Sequence, residues 1–67
     1  MKIRLLNIDN DDKTICEIET ETDFEGTLMI INDITEYCIL NNIYKRANKN
    51  IRYDFETDAL EIEVRNI

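Results

Sequence analysis

Two neighbouring segments near the start of the chain alternate between apolar and charged residues, and this alternation is the feature that most limits the possible fold. In residues 2–8, Ile3 and Leu5 fall on one side while Lys2 and Arg4 fall on the other. A period of two is typical of a β-strand that is buried on one face only. The same period continues in the next apolar segment, so we expect the chain to begin with two strands.

The second segment, residues 14–21, is predicted to return alongside the first as a hairpin. Its apolar side carries Cys16, Ile18 and Thr20, and its other side carries Glu17, Glu19 and Glu21. One register satisfies both faces, because it places apolar residues opposite apolar ones and bases opposite acids, each pair being worth about 0.2–1 kcal/mol. The four pairs are Ile3 with Ile18, Leu5 with Cys16, Lys2 with Glu19 and Arg4 with Glu17.

The middle of the chain permits two interpretations, because it contains two candidate helix starts. Thr22 and Glu25 have the spacing of a capping box, and so have Asp33 and Glu36. The first box would start one long helix over residues 23–46. Such a helix would measure about 36 Å, whereas strands of about seven residues span only about 23 Å. The long helix would overhang its sheet, which favours the second box.

The second box predicts a shorter helix over residues 34–47. Its apolar stripe falls on one face at helical spacing and consists of Tyr37, Leu40, Ile43, Tyr44 and Ala47. We accordingly expect a turn at 23–26, a short strand at 27–31 and a helix capped by Asp33. The long helix remains the alternative, so residues 22–33 are either strand or helix on the sequence alone.

Residues 51–67 predict a second hairpin, with Thr57 and Asp58 at or near its turn. The inward side is apolar and carries Ile51, Tyr53, Phe55, Leu60, Ile62 and Val64. The other side is charged and carries Arg52, Asp54, Glu56, Glu61 and Glu63. We expect a single domain over residues 1–67. Its predicted fold class is α+β: a small antiparallel sheet of four or five strands, in the order β-β-(β)-α-β-β, with one helix packed on its apolar face.

The composition argues against an enzyme. The chain contains no histidine and no serine, which removes the commonest general base and the usual activated hydroxyl. Cys38 has no neighbouring imidazole or lysine to activate it as a nucleophile. The acidic stretch from Asp9 does not match a calcium-binding EF-hand loop, because Lys13, Thr14 and Thr20 stand where that loop needs an oxygen ligand, a glycine and a glutamate. We expect no catalytic residue, no metal site and no cofactor.

The net charge of −7 determines the class of partner. A chain this acidic repels nucleic acid and anionic membranes, so direct binding to either is not expected and a basic protein surface is favoured. Alternate residues of a strand are about 6.6–6.8 Å apart, so a row of glutamates resembles in spacing the phosphates of a nucleic-acid strand. The carboxylates predicted to bind the partner are Glu17, Glu19, Glu21, Asp54, Glu56, Glu61 and Glu63.

These features predict a non-enzymatic inhibitor or nucleic-acid mimic that occupies a basic surface of a host nucleic-acid-handling or defence protein. In size and charge the chain resembles the small acidic inhibitors that phages make against such proteins, a resemblance of composition with no correspondence residue by residue. The competing interpretation of the glutamates is an ordinary solvated sheet face. Lys45, Arg46, Lys49 and Arg52 are interpreted as the cationic end of the predicted helix rather than as a nucleic-acid contact.

Apolar side chains in excess of what one sheet and one helix can bury predict a second surface. We expect a homodimer interface at Met29, Ile31, Cys38 and Ile39. It supports an alternative function, a small homo-oligomeric accessory, scaffold or antitoxin-like subunit that acts through an apolar interface. No apolar run is long enough to cross a membrane, and the two cysteines are expected to be free and mostly buried, so we expect a cytoplasmic protein.

Overall fold

The computed structural model describes all 67 residues. They form five strands and one α-helix in the order β-β-α-β-β-β. The elements are β1 (Lys2–Asn7), β2 (Lys13–Glu19), α1 (Phe24–Asp33), β3 (Glu36–Ile39), β4 (Asn42–Asp54) and β5 (Ala59–Asn66). A short 3₁₀ turn, Ile8–Asn10, lies between the first two strands.

The predicted first hairpin is confirmed in its register. β1 and β2 are antiparallel, and the observed pairs are Lys2 with Glu19, Ile3 with Ile18, Arg4 with Glu17 and Leu5 with Cys16. The register then shifts, since Leu6 pairs with Thr14 and leaves Ile15 as an extra residue. Both faces had to match at once, and a slip of one residue would have moved the whole apolar set to the solvent side.

The prediction of an antiparallel sheet is wrong, because the sheet is mixed. Its strand order is β2-β1-β5-β4-β3, and the central pair β1 and β5 is parallel, with Ile3 beside Leu60 and Leu5 beside Ile62. Alternation of apolar and charged residues is the same for a parallel and an antiparallel neighbour, so it carries no information on strand direction. The segment between β1 and β5 contains β2, α1, β3 and β4. It brings the chain back to the same end of the sheet, so that β5 runs parallel to β1.

The helix also lies elsewhere than predicted. It spans Phe24–Asp33, so both the strand at 27–31 and the helix at 34–47 are wrong, and the long-helix alternative is right only near its start. Asp23 caps the helix, with its Oδ1 atom accepting a hydrogen bond from the backbone nitrogen of Gly26 at 2.8 Å. Thr27 and Ile31, one turn apart, are its buried side chains.

Residues 34–47 form strands because a tight turn divides them. Leu40 and Asn41 both have positive φ, 48° and 67°, which is the backbone of the two-residue type I′ turn that joins antiparallel strands. Tyr37 and Tyr44 pair across that hairpin and both pack against the core. Leu40 is 90% exposed at the turn. The apparent helical stripe was therefore a chance coincidence of spacing with a strand–turn–strand segment.

The second predicted hairpin is confirmed. β4 and β5 are antiparallel, Ile51 lies opposite Ile62 and Tyr53 opposite Leu60. Phe55, expected on the inward side, instead begins the connecting turn and is 88% exposed. The buried core lies between the sheet and α1 and consists of Leu5, Ile31, Leu60, Ile62 and Val64. At ten residues, α1 lacks the length and apolar character that crossing a membrane requires.

Candidate binding surface

The sheet has an inner face, covered by α1, and an outer face on which most of its charged residues lie. The registers place alternate residues of each strand together, so that the outer face carries acids and bases side by side. Its central members are Lys2 and Arg4 on β1, Glu17 and Glu19 on β2, Arg52 and Asp54 on β4, and Glu61 and Glu63 on β5.

Arg4 is the centre of the outer face. It is only 8% exposed, and its Nε atom donates to Glu17 at 3.0 Å. Its Nη1 atom donates to Glu61 at 2.6 Å and to Asp54 at 3.3 Å. The remaining nitrogen, Nη2, donates to the hydroxyl of Thr57 at 2.9 Å. One guanidinium thus connects β1 with β2, β4 and β5. It binds three of the carboxylates that were predicted to contact the partner.

Shifted pKa values keep Arg4, Asp54 and Glu61 charged near neutral pH. Burial by itself would raise the pKa of Glu61, but the hydrogen bonds from Arg52 and Arg4 outweigh it and lower that pKa. Hydrogen bonds from the backbone of Glu56 and from Thr57 lower the pKa of Asp54. The hydrogen bond with Glu61 raises the pKa of Arg4 further above its usual value.

Three more cations form ion pairs with carboxylates on the outer face or in the connection between β1 and β2. The contacts are Lys2 to Glu17 at 3.8 Å, Arg52 to Glu61 at 2.8 Å and to Asp12 at 3.9 Å, and Arg65 to Asp9 at 3.0 Å. Four of the eight basic residues are therefore used in ion pairs within the chain. The outer face therefore carries both charges. Cations lie beside the acids that were predicted to copy a phosphate backbone.

The other predicted carboxylates fall into two groups. Glu63 accepts a hydrogen bond from the side chain of Asn48 at 3.0 Å, and this lowers its pKa. The protonated form of Asp12 can donate a hydrogen bond to Glu63, which raises the pKa of Asp12. The second group, which has no hydrogen-bond or ion-pair partner for its carboxylate, consists of Glu19, Glu21 and Glu56. Glu21 follows the end of β2, so it does not extend the strand row.

An exposed aromatic cluster was missed by the sequence analysis. Phe24, Tyr53 and Phe55 stack edge to face, with ring centroids 5.3 Å apart for the first pair and 4.9 Å for the second. Phe24 is 45% exposed and Phe55 88%. The only sequence signal was the position of Phe55, one residue beyond the last pair of the hairpin, Asp54 with Ala59.

One carboxylate contacts this aromatic cluster, and others adjoin it in the sequence. Asp58 accepts a hydrogen bond from the hydroxyl of Tyr53 at 2.6 Å, which raises the pKa of that tyrosine. The backbone nitrogen of Glu56 donates to Asp54 at 2.9 Å and shapes the turn. The acidic residues next to the three rings in the chain are Asp23, Glu25, Asp54, Glu56 and Asp58, of which Asp54 is held by Arg4. We call the three rings and the other four acids the acidic-aromatic end.

A second exposed feature is an apolar row across the opposite end of the outer face. Cys38 on β3 pairs with Ile43 on β4, and Ile67 donates its backbone nitrogen to Ile43 at 2.9 Å. Ile43 and Ile67 are 49% and 67% exposed, and Leu40 lies at the adjoining turn. We call Cys38, Ile43, Ile67 and Leu40 the apolar row.

The four residues predicted for a dimer interface are not brought together. Cys38 is exposed in the apolar row, whereas Met29 is 71% exposed on α1, at the other side of the sheet. Ile39 packs against the core and Ile31 is fully buried in it. Both cysteines are free, as expected, but only Cys16 is partly buried, and this burial raises the pKa of its thiol.

The predicted basic cluster does not lie at a helix end. Lys45, Arg46, Lys49 and Arg52 all belong to β4. Arg52 lies on the outer face with Glu61, and Arg46 lies opposite Val64 on the inner side. No three of the cysteine, aspartate and glutamate side chains are grouped so that they could hold a metal ion.

Comparison with known proteins supplies no relative: no family model, no curated protein and no solved structure matches the chain.

Proposed function

We propose that this chain is a non-enzymatic acidic binding protein, which inhibits a nucleic-acid-handling or defence protein by occupying a basic surface of it. The observation that carries the proposal is the acidic-aromatic end, where Phe55 is 88% exposed among carboxylates. Solvated acids are common on acidic proteins, but a stacked and exposed aromatic group among them is a feature of binding surfaces.

The chemistry of the acidic-aromatic end fits arginine and lysine side chains. The face of an aromatic ring attracts a cation by about 0.5–2 kcal/mol, and the neighbouring carboxylates add hydrogen-bond acceptors for a guanidinium. Tyr53 on β4 contacts both phenylalanines, Phe24 at the start of α1 and Phe55 in the turn after β4, so the strand fixes the position of the cluster. Basic surfaces that bind phosphates are rich in these two cations.

A run of unneutralised acids extends the proposed surface toward β2. Every second residue from Glu19 to Glu25 is acidic, namely Glu19, Glu21, Asp23 and Glu25, and no cation lies within ion-pair distance of any of them. This run includes two of the predicted partner-binding residues and leads to Phe24. The proposed surface is therefore centred on the turn end of the sheet, and the carboxylates held by Arg4 have a structural role.

The test is the affinity for a partner captured from the source cells. The tagged chain is incubated with extract at low and at high salt, and the dissociation constant of the recovered partner is then measured for single variants. Phe55→Ser and the pair Glu25→Gln with Glu56→Gln are expected to weaken binding by about tenfold or more, and raised salt is expected to weaken the wild type. Unchanged affinity in both variants would contradict the proposal.

Matched controls come from the far end of the sheet. Leu40 is as exposed as Phe55, and Glu36 is an exposed carboxylate on β3. Leu40→Ser and Glu36→Gln are expected to leave the affinity unchanged.

We further propose that the protein acts in the cytoplasm, a proposal supported by the exposed free thiol of Cys38, which a reducing compartment preserves.

The apolar row favours a second candidate function, a homo-oligomeric accessory, scaffold or antitoxin-like subunit. Leu40 is 90% exposed although its φ of 48° disfavours leucine, so folding of the single chain does not account for this residue. Sedimentation equilibrium would give twice the single-chain mass of 8.0 kDa for the wild type and the single mass for Ile43→Glu. A wild-type monomer at all concentrations would contradict this candidate.

A further inference from the structure

A cavity of about 400 Å³ lies between the end of α1 and β4. It is lined by Asn32, Ile34, Thr35, Arg46, Asn48 and Lys49. Two of these are cations, three offer neutral hydrogen-bonding groups, and none is a carboxylate. In a chain with 15 acidic and 8 basic residues, a cavity whose only charged lining residues are cations departs from the charge of the rest of the molecule.

Arg46 supplies the most unusual atoms at this cavity. Its Nη1 atom donates to the carbonyl of Ile31, in the last turn of α1, at 3.5 Å. Its Nε and Nη2 atoms are buried and have no hydrogen-bond partner. These two nitrogens form one edge of the guanidinium, the fork that binds two oxygens of a carboxylate or phosphate side by side. The capping of α1 therefore uses one nitrogen and leaves the oxyanion-binding edge free.

The third buried side-chain atom without a partner lies nearby. It is the hydroxyl of Tyr37, whose pKa is raised by burial and partly lowered again by the positive charge of Arg46. All of the buried side-chain nitrogen and oxygen atoms without a partner thus belong to these two residues. All three can donate a hydrogen bond, and leaving a buried charged donor unpaired is strongly unfavourable. The region around Arg46 and Tyr37 therefore lacks a negatively charged acceptor.

We propose that this cavity binds a small oxyanion, the phosphate or carboxylate group of a small molecule. Arg46 lines the cavity, and its Nε and Nη2 atoms are closed to solvent, so binding requires the guanidinium to turn toward the oxyanion. Lys49 adds a second positive charge, while Asn32 and Thr35 offer further donors. Asn48 is already held by Glu63 and fixes the side of the cavity nearest β5. This site is independent of the acidic-aromatic end.

The experiment is a titration of the ¹⁵N-labelled chain with sodium phosphate and, separately, with sodium acetate, at ionic strength held constant with sodium chloride. We expect saturable shifts of the amide signals of residues 32–35 and 46–49 with at least one of the two anions. The anion that saturates at the lower concentration identifies the preferred group. Shifts that never saturate with either anion, or that chloride alone reproduces, would overturn the proposal.

Variants locate the bound anion. Arg46→Gln and, separately, Lys49→Gln are expected to raise the half-saturating concentration by about tenfold or more, since each loses a charge at the oxyanion. Lys49 is exposed, so its variant tests the site even if the partly buried Arg46 proves necessary for folding. Lys13→Gln, which removes an exposed cation from β2, is the matched control and is expected to change nothing. Equal loss in the control, or none at Lys49, would show that no site exists here.

Discussion

Arg4 donates to Glu61 at 2.6 Å, and both side chains are nearly excluded from solvent, with 10% and 12% of their surfaces exposed. This contact joins the two parallel strands at the centre of the sheet. We predict that Arg4→Met lowers the free energy of unfolding by about 2–3 kcal/mol, because it leaves Asp54 without a cation and removes the buried donor that Glu17 and Glu61 share. The measurement is urea denaturation at pH 7.

The matched control for Arg4 is Arg65→Met. Arg65 also forms an ion pair, with Asp9 at 3.0 Å, but both partners are more than half exposed. Exposed pairs of this kind contribute little, so the control is expected to change stability by less than about 0.5 kcal/mol. Equal effects of the two substitutions would contradict a central structural role for Arg4.

Acid is predicted to unfold the chain through the same cluster. The pKa values of Glu61 and Asp54 are lowered in the folded state, so their contribution to stability is complete above the ordinary carboxyl values of 4.5 and 3.8. It is lost as the pH falls through the lowered values. Denaturation midpoints should therefore hold steady down to about pH 5 and fall below it, and Glu61→Gln should flatten this fall.

Asp12 contributes with the opposite sign. Its pKa is raised because its protonated form can donate a hydrogen bond to Glu63. Folding therefore disfavours the ionised form, and this destabilisation disappears as the pH falls through the raised value. We predict that Asp12→Asn raises stability at pH 7 and makes the acid-induced loss steeper. A lower stability of this variant at pH 7 would mean that the 3.9 Å contact with Arg52 outweighs the repulsion.

The helix cap offers a direct test of where the helix lies. Asp23→Ala removes the acceptor for the Gly26 nitrogen, 2.8 Å away, and is predicted to reduce stability by about 1 kcal/mol. Asp33→Ala is the control, since Asp33 is the last residue of α1, where a negative charge is unfavourable. Its removal should leave stability unchanged or slightly higher. The reverse ranking would support a helix that starts after Asp33.

The turn between β3 and β4 contains a strained residue. Leu40 has a φ of 48°, a conformation that asparagine and glycine adopt more readily. Because Leu40 is 90% exposed, Leu40→Asn removes little buried surface and is predicted to raise stability by about 1 kcal/mol. Thermal denaturation measures this directly. A decrease would indicate that the leucine makes a stabilising contact, for example with a second copy of the chain.

The hairpins could be predicted because each has two faces that must match at once. Ile3 with Ile18 and Lys2 with Glu19 allow one register only, and Ile51 with Ile62 shows the same logic in the second hairpin. The parallel direction of β1 and β5 could not be predicted. These two strands are far apart in the sequence, and alternation does not encode strand direction. The role of Arg4 was missed for the same reason, because Glu61 reaches it only through that parallel pairing.

The helix was misplaced because local signals conflict over residues 22–47. Thr22 of the first predicted box, the observed cap Asp23 and Asp33 are all residue types that cap helices, and the strand–turn–strand segment happens to repeat apolar residues at helical spacing. The turn at Leu40 and Asn41 decides between strand and helix for this segment. Its sequence lacks the glycine that is usual in such turns. The acidic-aromatic end was missed with it, since Phe24 reaches Tyr53 only when α1 starts where it does.

The partner contact can be mapped directly on the ¹⁵N-labelled chain by titrating the chain with the captured partner. We expect the largest signal changes at Phe24, Tyr53, Phe55 and Glu56, and we expect them to weaken as salt is raised and to disappear in Phe55→Ser. Changes confined to Cys38, Ile43 and Ile67, or changes insensitive to salt, would contradict binding through the acidic-aromatic end.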